Sequence, residues 1–578
     1  MGRSRRVLIG LATLLVAGVA GAGGGPTAVA HAAGGPKSIQ LPVPVGTLHV
    51  QGNLRDGGFV SATGVQWHPG TLPAGDKLLT FTVTDTWNAC TSPTAGCVAG
   101  ADTTSTPMAA HSYIPGHADA GLYLQVVEKA TEVIETDPAT FTFRIRHTTV
   151  TATSTDTVAS YPAGAKPWSS FVNGLPERET GASSEIFQVS PAHFNQADGT
   201  PAVSYQIDGG GWQPLPSSRV FATGTLAVGN HWVAIQTQNG AGSTERAFAW
   251  RVTPLPAPVA CIPRGGRTCF YPPHLDNTGR PMRWDWQIGR VAPLERKGAH
   301  AVDMYDVDGF LTTSDEITAM HTEWQAATLP HPKVSCYLDL AWEAYRPDGS
   351  TEPRGVFPAT TLGNVYYGYP QERWVDVRQL DALKPMIDHR IAMCAAKGFD
   401  SVELDDIDSY DPPTETGFQL TAGDWQNFLA YTDNEVHRYG MTAMWKNSPL
   451  LAWWGRRYTD GAVVEECYVY TQCFSADLAG TTSRGITCTV VTGPTPCGWD
   501  AFTTDFTPQQ PNGKWVGEDE YKEDGFVCGP GASGPNCSGP HAYAAFCAAV
   551  EGPSYGFSAL RMTDELDGSV FQPCPTGK

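Results

Sequence analysis

Gly398-Phe399-Asp400-Ser401-Val402-Glu403-Leu404-Asp405-Asp406-Ile407-Asp408-Ser409-Tyr410 is the stretch on which the reading of the chain turns. It has the form of a short strand running into carboxylates with no basic residue among them. Ahead of it, Leu380 to Lys397 reads as a helix stopped by Gly398, and behind it come Pro412-Pro413 and a second helical segment opening near Thr421. Helix, strand, helix is the rhythm of an α/β enzyme, and acids crowded at a strand end mark a candidate site.

The same rhythm extends outward in both directions. Strands are expected at Met282 to Ile288, Ala299 to Tyr305, Val334 to Leu340, Ser401 to Asp405, Met441 to Lys446, Ala462 to Glu466, Lys514 to Glu518 and Tyr555 to Arg561. Between them, Thr313 to Leu329, with a Thr313/Glu316 capping box, and Thr421 to Tyr439, with Gly440 behind it, read as helices. Eight βα units over residues 261–578 predict an α/β fold, a (β/α)8 TIM barrel.

The texture differs before Thr253. Alternating runs such as Leu78 to Val83, Phe141 to Ile145 and Trp232 to Thr237 predict antiparallel strands, and Tyr205 to Trp212 reads as a hairpin with a Gly-rich turn. These residues divide into two all-β immunoglobulin-like sandwiches, 37–162 and 165–253, the second resembling adhesive modules of exported bacterial enzymes. A proline-stiffened linker, 254–260, follows.

Arg3, Arg5 and Arg6, the apolar run Val7 to Ala20 and small residues up to Ala32 have the pattern of a secretory signal peptide, residues 1–32. Its removal takes away three arginines and no acid, turning the formal charge of −20 into −23. Such a surface disfavours nucleic acid and anionic membranes as partners and attracts a cationic one. No later stretch has the roughly 20 apolar residues of a membrane helix, so no membrane insertion is expected.

The 14 cysteines form close couples, 90/97, 261/269, 467/473, 488/497 and 528/537, leaving 336/394 and 547/574 as the simplest remaining pairs. An even count in an exported chain predicts disulfides, and the spacing does not fit zinc. No metal and no cofactor is expected.

In a TIM barrel the chemistry sits at the C-terminal tips of the strands. Those tips offer Trp284 and Trp286; Tyr305, Asp306 and Asp308; Tyr337 and Asp339; Glu403, Asp405, Asp406 and Asp408; Lys446 and Asn447; Glu465 and Glu466; Glu518 and Glu520; and Arg561. Converging carboxylates with tryptophans beside them are what glycoside hydrolysis needs: one acid protonates the leaving oxygen while the other attacks or activates water. Trp284, Trp286, Trp342 and Trp445 would serve as platforms for sugars. Asp306, Asp308 and Asp339 would bind amino groups, or calcium in a loop of unfamiliar spacing. Glu403 shares a strand face with Asp405 and is the substitute acid, Asp408 a supporting acid, and Lys446 a counter-ion.

The order of residues supports a family. Tyr305-Asp306-Val307-Asp308, Cys336-Tyr337, Trp342-Glu343, Arg346-Pro347-Asp348, Glu372 to Arg378, Gly398-Phe399-Asp400, Asp405, Asp408, Tyr410, Lys446-Asn447, Cys467 to Cys473 and Glu520-Tyr521 occur together. Residues 281–570 thereby resemble glycoside hydrolase family 114, the endo-α-1,4-polygalactosaminidases. The resemblance implies a barrel that cleaves α-1,4-linked galactosamine polymers, with catalytic acids on the fourth and sixth strands that fall on Asp405 and Glu465. It also implies a polycationic, partly de-acetylated polysaccharide as substrate, in keeping with the acidic charge. The chain departs from the family at Leu404, Asp406, Val464 and Ala344, where Pro, Asn, Asn and an acid are more usual. A carbohydrate-binding protein without activity, or a hydrolase of another α-linked polysaccharide, are the alternative readings, and the sandwiches would contact glycan or a cell surface.

Overall fold

The computed structural model describes residues 41–574 apart from interior stretches, the longest of which are 71–76, 100–111, 295–300, 351–356, 408–415 and 489–496. The signal peptide and Asp408 thus lie outside the described residues.

Eight parallel strands form the C-terminal half: β1 (Trp284–Gln287), β2 (Met304–Asp308), β3 (Lys333–Asp339), β4 (Ser401–Asp405), β5 (Thr442–Lys446), β6 (Gly461–Glu465), β7 (Trp515–Tyr521) and β8 (Ser558–Met562). Each pairs with the next in chain order, and β9 (Phe571–Pro573) runs antiparallel on β8, giving a nearly closed barrel. Trp284 Nε1 donates to the Ser558 carbonyl at 2.7 Å across the remaining gap between β1 and β8.

Helices α1 (Ser314–Thr322), α2 (Leu380–Lys397) and α3 (Ala422–Arg438) cover the outside. Thr313 and Glu316 form the expected capping box of α1. Thr421 and Asp424 form another on α3. Gly398, at φ 111°, ends α2 in the left-handed conformation that a Cβ disfavours. The segment after β3 is not a helix throughout. Trp342–Glu343, Leu362–Tyr366 and Tyr369–Val375 form a small antiparallel sheet beside the mouth.

Seven of the eight strands stand within about three residues of their expected limits. The second begins later, at Met304: Ala301, Val302 and Asp303 lie ahead of the strand, and residues 299–300 lie outside the described residues. β7 runs on to Tyr521 rather than ending at Glu518, a shift that matters below.

Side-chain parity sorts the barrel into two cores. Inward-facing Trp284, Trp286, Met304, Met444, Val463, Trp515, Leu560 and Met562 fill its lower interior. The outward residues, among them Val307, Val402, Ala443 and Val464, pack beneath the helices. Burying each such aliphatic chain contributes roughly 1.5–3 kcal/mol. These apolar chains fill the bottom of the barrel, and its inward-facing carboxyls stand toward the C-terminal end.

Before the barrel the described residues are all β. Val43–Gly52, Val60–His68 and Ser112–Tyr113 form one sheet, and Ala95–Ala99, Lys77–Ser92, Tyr123–Asp137 and Thr142–Thr157 another. A three-stranded and a five-stranded sheet follow between Phe171 and Val252, with Phe187, Phe221, Val233, Phe248 and Trp250 in their core. The hairpin read at Tyr205 to Trp212 pairs Tyr205 with Gln213. This second pair of sheets touches the barrel: Gly181 N donates to Asn427 Oδ1 at 3.0 Å and Thr421 Oγ1 to the Ser184 carbonyl at 3.1 Å.

All seven disulfides join the cysteines paired in the sequence reading, including Cys336–Cys394 and Cys547–Cys574.

Candidate active site

The alternation of β4 directs Ser401, Glu403 and Asp405 inward, that of β5 Thr442, Met444 and Lys446, and that of β6 Gly461, Val463 and Glu465. The top of the barrel is therefore occupied by three carboxyls and an ammonium. Lys446 Nζ lies 3.2 Å from Glu403 Oε1, 3.1 Å from Asp405 Oδ2 and 3.3 Å from Glu465 Oε2. It is seated 4.5 Å above the ring of Trp286. Lys446 and Glu403 are buried, whereas the Asp405 and Glu465 side chains keep 18% and 29% exposure and form the open surface of the site.

Both open carboxyls are held by donors on every side. Asp405 accepts from Tyr337 Oη at 2.8 Å and from the Asp406 amide at 2.8 Å. Glu465 accepts from Tyr521 Oη at 2.5 Å and Asn447 Nδ2 at 2.8 Å, while its amide donates to Asn447 Oδ1 at 3.1 Å. Burial raises the pKa of Glu465, but the charge of Lys446 and the hydrogen bonds from Tyr521 and Asn447 outweigh it, leaving this carboxyl below its ordinary range. Burial opposes the charge on Lys446, yet Asp405, Glu465 and Glu403 together hold its pKa well up.

The backbone is set for this arrangement. The residue following the inward side chain on each of the three strands, Asp406, Asn447 and Glu466, has φ of 58°, 43° and 51°. Left-handed conformations are costly for residues with a Cβ, least so for Asp and Asn, and their clustering at one rim is typical of a functional site.

Around this centre lies more acid. Asp339 from β3, Glu372 from the small sheet and Asp406 have carboxyl oxygens all within 4.8 Å of one another. Tyr345 Oη donates to Glu343 at 2.7 Å and Glu372 at 3.0 Å. Tyr369 is exposed, yet its hydroxyl lies in the field of Glu465, Glu372 and Asp405.

Several residues expected at the mouth stand elsewhere, for reasons of parity and burial. Tyr305 faces outward and packs against Trp324. Trp284 and Trp286 are fully buried inside the barrel and Trp445 is buried too, so none offers a face to a sugar. Asp308 is committed to a buried pair with Arg346, 2.6 Å away, and to the amides of Phe310 and Leu311. Asp306 lies below the mouth, fully buried. On β7 the inward residues are Asp519 and Tyr521. Glu520 faces out, accepting from the amides of Tyr468 and Val469 at 3.0 Å each. Arg561 also faces out, toward the Val527 carbonyl and Gln572. Trp286, Tyr337, Asp339, Glu403, Asp405, Lys446, Asn447 and Glu465 are thus brought together, and Tyr521, Asp519, Glu372, Tyr345 and Tyr369 join them. Continuing the period-two alternation of β7 three residues beyond Glu518 places Asp519 and Tyr521 on its inward face.

Two carboxylates bridged by one ammonium can protonate a leaving group and attack from the opposite side. Oδ2 of Asp405 and Oε2 of Glu465 are 3.1 Å and 3.3 Å from the same nitrogen, so they stand no farther apart than the sum, 6.4 Å. That bound on one oxygen pair admits the roughly 5–5.5 Å separation of the acids in retaining glycosidases.

The family profile of glycoside-hydrolase family GH114 matches residues 272–577, which contain every strand of the barrel. Among curated proteins none matches. Among solved structures, the Aspergillus fumigatus protein Ega3, in complex with galactosamine, is similar over 54% of this chain and 100% of its own, at 21% identity and a TM-score of 0.39. The glycoside hydrolase domain of PelA from Pseudomonas aeruginosa is similar over 49% of this chain and 96% of its own, at 12% identity and a TM-score of 0.28.

Proposed function

The chain belongs to glycoside-hydrolase family GH114, and from that premise we propose that it hydrolyses α-1,4-linked, partly de-acetylated galactosamine polymers with retention of configuration. Asp405 is the nucleophile and Glu465 the general acid/base. The observation that carries this reading is the single ammonium of Lys446 spanning both carboxyls at 3.1 Å and 3.3 Å. The two acids end the strands on either side of β5 and both are open to solvent, an arrangement that lets them flank one glycosidic bond.

Glu465 protonates the glycosidic oxygen as Asp405 forms the glycosyl ester, and then removes a proton from the water that releases it. Lys446, Tyr337 and the Asp406 amide hold Asp405 oriented for attack. Asp339, Glu372 and Asp406 face the amino groups of a cationic chain, and Tyr345 and Tyr369 flank it. The formal charge of −20 supports long-range attraction of such a polymer.

The all-β residues 37–162 and 165–253 are read as immunoglobulin-like sandwiches that contact glycan or a cell surface, joined by the linker 254–260 to the catalytic residues 261–578. Export, with loss of residues 1–32, is consistent with seven disulfides and with the absence, among the described residues, of any helix long and apolar enough to cross a membrane.

Substrate choice is tested by comparing α-1,4-linked galactosamine polymer with its fully N-acetylated form. Cleavage of the amine-bearing polymer alone, weakened by added salt, is expected. Equal cleavage of both would remove the cationic part of the reading.

A further inference from the structure

Below the catalytic pair, the barrel contains two acids that the hydrolytic scheme does not use. Asp306 of β2 and Glu403 of β4 are each 0% exposed. The donors within reach among the described residues are few: Ser335 beside Asp306, and the Lys446 ammonium, 3.2 Å from Glu403 Oε1 and shared with two further carboxyls. The groups facing them are each other, Ser335 from β3, Lys446 from β5 and Asp405 above. Trp286 from β1 closes the space beneath Lys446, and Leu560 and Met562 of β8 are apolar. Tyr337 from β3 flanks Lys446, Glu465 from β6 tops it, and Asp519 from β7 lies within the field of both.

Two adjoining carboxylates whose one nearby cation is shared with Asp405 and Glu465 cannot both ionise inside such a space, since each desolvated charge costs several kcal/mol. A proton shared between them removes one charge and adds a hydrogen bond from one carboxyl to the other. Burial raises both groups, and their mutual repulsion raises Glu403 further.

The second fact is connectivity. Glu403 Oε1 and Glu465 Oε2 are both in contact with one nitrogen, at 3.2 Å and 3.3 Å from Lys446 Nζ. Asp519 has no such contact among the described residues. Resting on the assignment of Glu465 as general acid, we propose that Asp306 and Glu403 store the proton used in catalysis and exchange it with Glu465 through Lys446. A proton passes from Lys446 Nζ to Glu465 Oε2 while the nitrogen takes one from the Asp306–Glu403 pair. Lys446 begins and ends as an ammonium, the pair gains one negative charge, and Glu465 loses one.

This resolves a conflict within the site. The donors around Glu465 favour its ionised form, which suits the base half of the cycle and handicaps the acid half. With a store beneath it, the acid form is reached without a proton from solvent, and activity persists until the whole set loses its proton. Asp306 and Glu403 are positioning residues for that proton and touch no sugar.

The test uses the full chain with Glu403→Gln, Asp306→Asn and, as a comparison, Asp519→Asn, each confirmed folded by circular dichroism. In the first two the amide supplies a permanent donor and the pair keeps one negative charge, so packing and charge match the proton-sharing state. Near pH 4.5, kcat/KM stays within a few-fold of the unsubstituted protein. The alkaline limb of the profile moves at least one unit toward acid, so that activity at pH 7 falls about tenfold or more. Asp519→Asn leaves the limb in place.

An unmoved limb in both pair variants, a loss equal at every pH, or a shift confined to Asp519→Asn overturns the proposal. An infrared difference spectrum provides a readout independent of substrate: the unsubstituted protein minus either pair variant at pH 6 contains the band of one buried protonated carboxyl, and its absence from both differences also refutes the store. If the unsubstituted protein fails to cut the polymer, it is the hydrolase reading that fails, and the infrared result still decides the question of the proton.

Discussion

Replacing Lys446 by Met tests the electrostatics of the site most severely. The side chain has similar length and stays apolar against Trp286, so packing changes little, but three carboxyls 3.1–3.3 Å from the ammonium lose the cation they share. At an effective dielectric near 20, each such pair is worth about 5 kcal/mol before desolvation. Losing one partner of a buried ion network costs about 3–5 kcal/mol net, because the remaining charges stay buried and unpaired. For a domain of this size, that lowers Tm by roughly 6–10 °C at pH 8, at about 2 °C per kcal/mol. The sign of the pH dependence follows from the loss of the cation, which raises the folded-state pKa of the carboxyls above their unfolded values. The added cost is absent in acid and grows as pH rises through the raised values. Scanning calorimetry at pH 5 and pH 8 reads both numbers, and kcat falls about a hundredfold alongside. A Tm drop of under 2 °C at pH 8, or an equal drop at the two pH values, would refute the picture of a charge network centred on Lys446.

Three further outcomes are expected. Burial pushes Asp306, Asp339 and Glu520 each to about 7, above the roughly 4 of an unfolded carboxyl, so the folded protein holds protons that the unfolded chain has released and stability declines between those values. Tm should therefore be lower at pH 8 than at pH 5, and Glu185→Gln, which replaces a fully buried acid beside Asp424, should recover part of that loss at pH 8 and none at pH 5. A Tm that climbs with pH would contradict this. Removing the Cys336–Cys394 disulfide, which closes a loop of 58 residues, with Ala at both positions should cost about 4 kcal/mol by denaturant titration, and a loss below about 1 kcal/mol would mean the bridge constrains little. Proton NMR during early hydrolysis should show the α-anomer first, as retention requires, and a β-anomer formed first would place a water between the acids.

Much of the barrel was legible because local signals and tertiary packing agree there. Gly398 and the two capping boxes mark helix ends through backbone chemistry that needs no partner, and β4 is bounded as its residues suggest. The catalytic candidates followed from strand-tip acids and the family resemblance together. What the sequence withheld was direction. A shift of one residue exchanges the inside of a barrel strand for the outside, so taking Glu518 as the end of β7 concealed Asp519 and the inward direction of Tyr521, which entered only through the family resemblance, and promoted Glu520, which caps a loop instead. Tryptophans at strand ends gave no sign of depth, and those of β1 prove to be floor and cation seat. Tyr345, Tyr369 and Glu372 reach the mouth from the small sheet and the turn after its first strand, inserted between β3 and α2, and no local periodicity announces such a long-range arrangement.

The central claim is that Asp405 and Glu465 cleave an amine-bearing α-linked polymer. Reducing ends released from partly de-acetylated α-1,4-galactosaminogalactan should therefore be measured for the purified chain beside its Asp405→Asn and Glu465→Gln variants, all three confirmed folded. Release by the unsubstituted chain, reduced at least a thousandfold by either substitution, is the predicted result. Undiminished release by either variant would contradict the assignment of the pair, and an intact polymer in every sample would contradict the substrate.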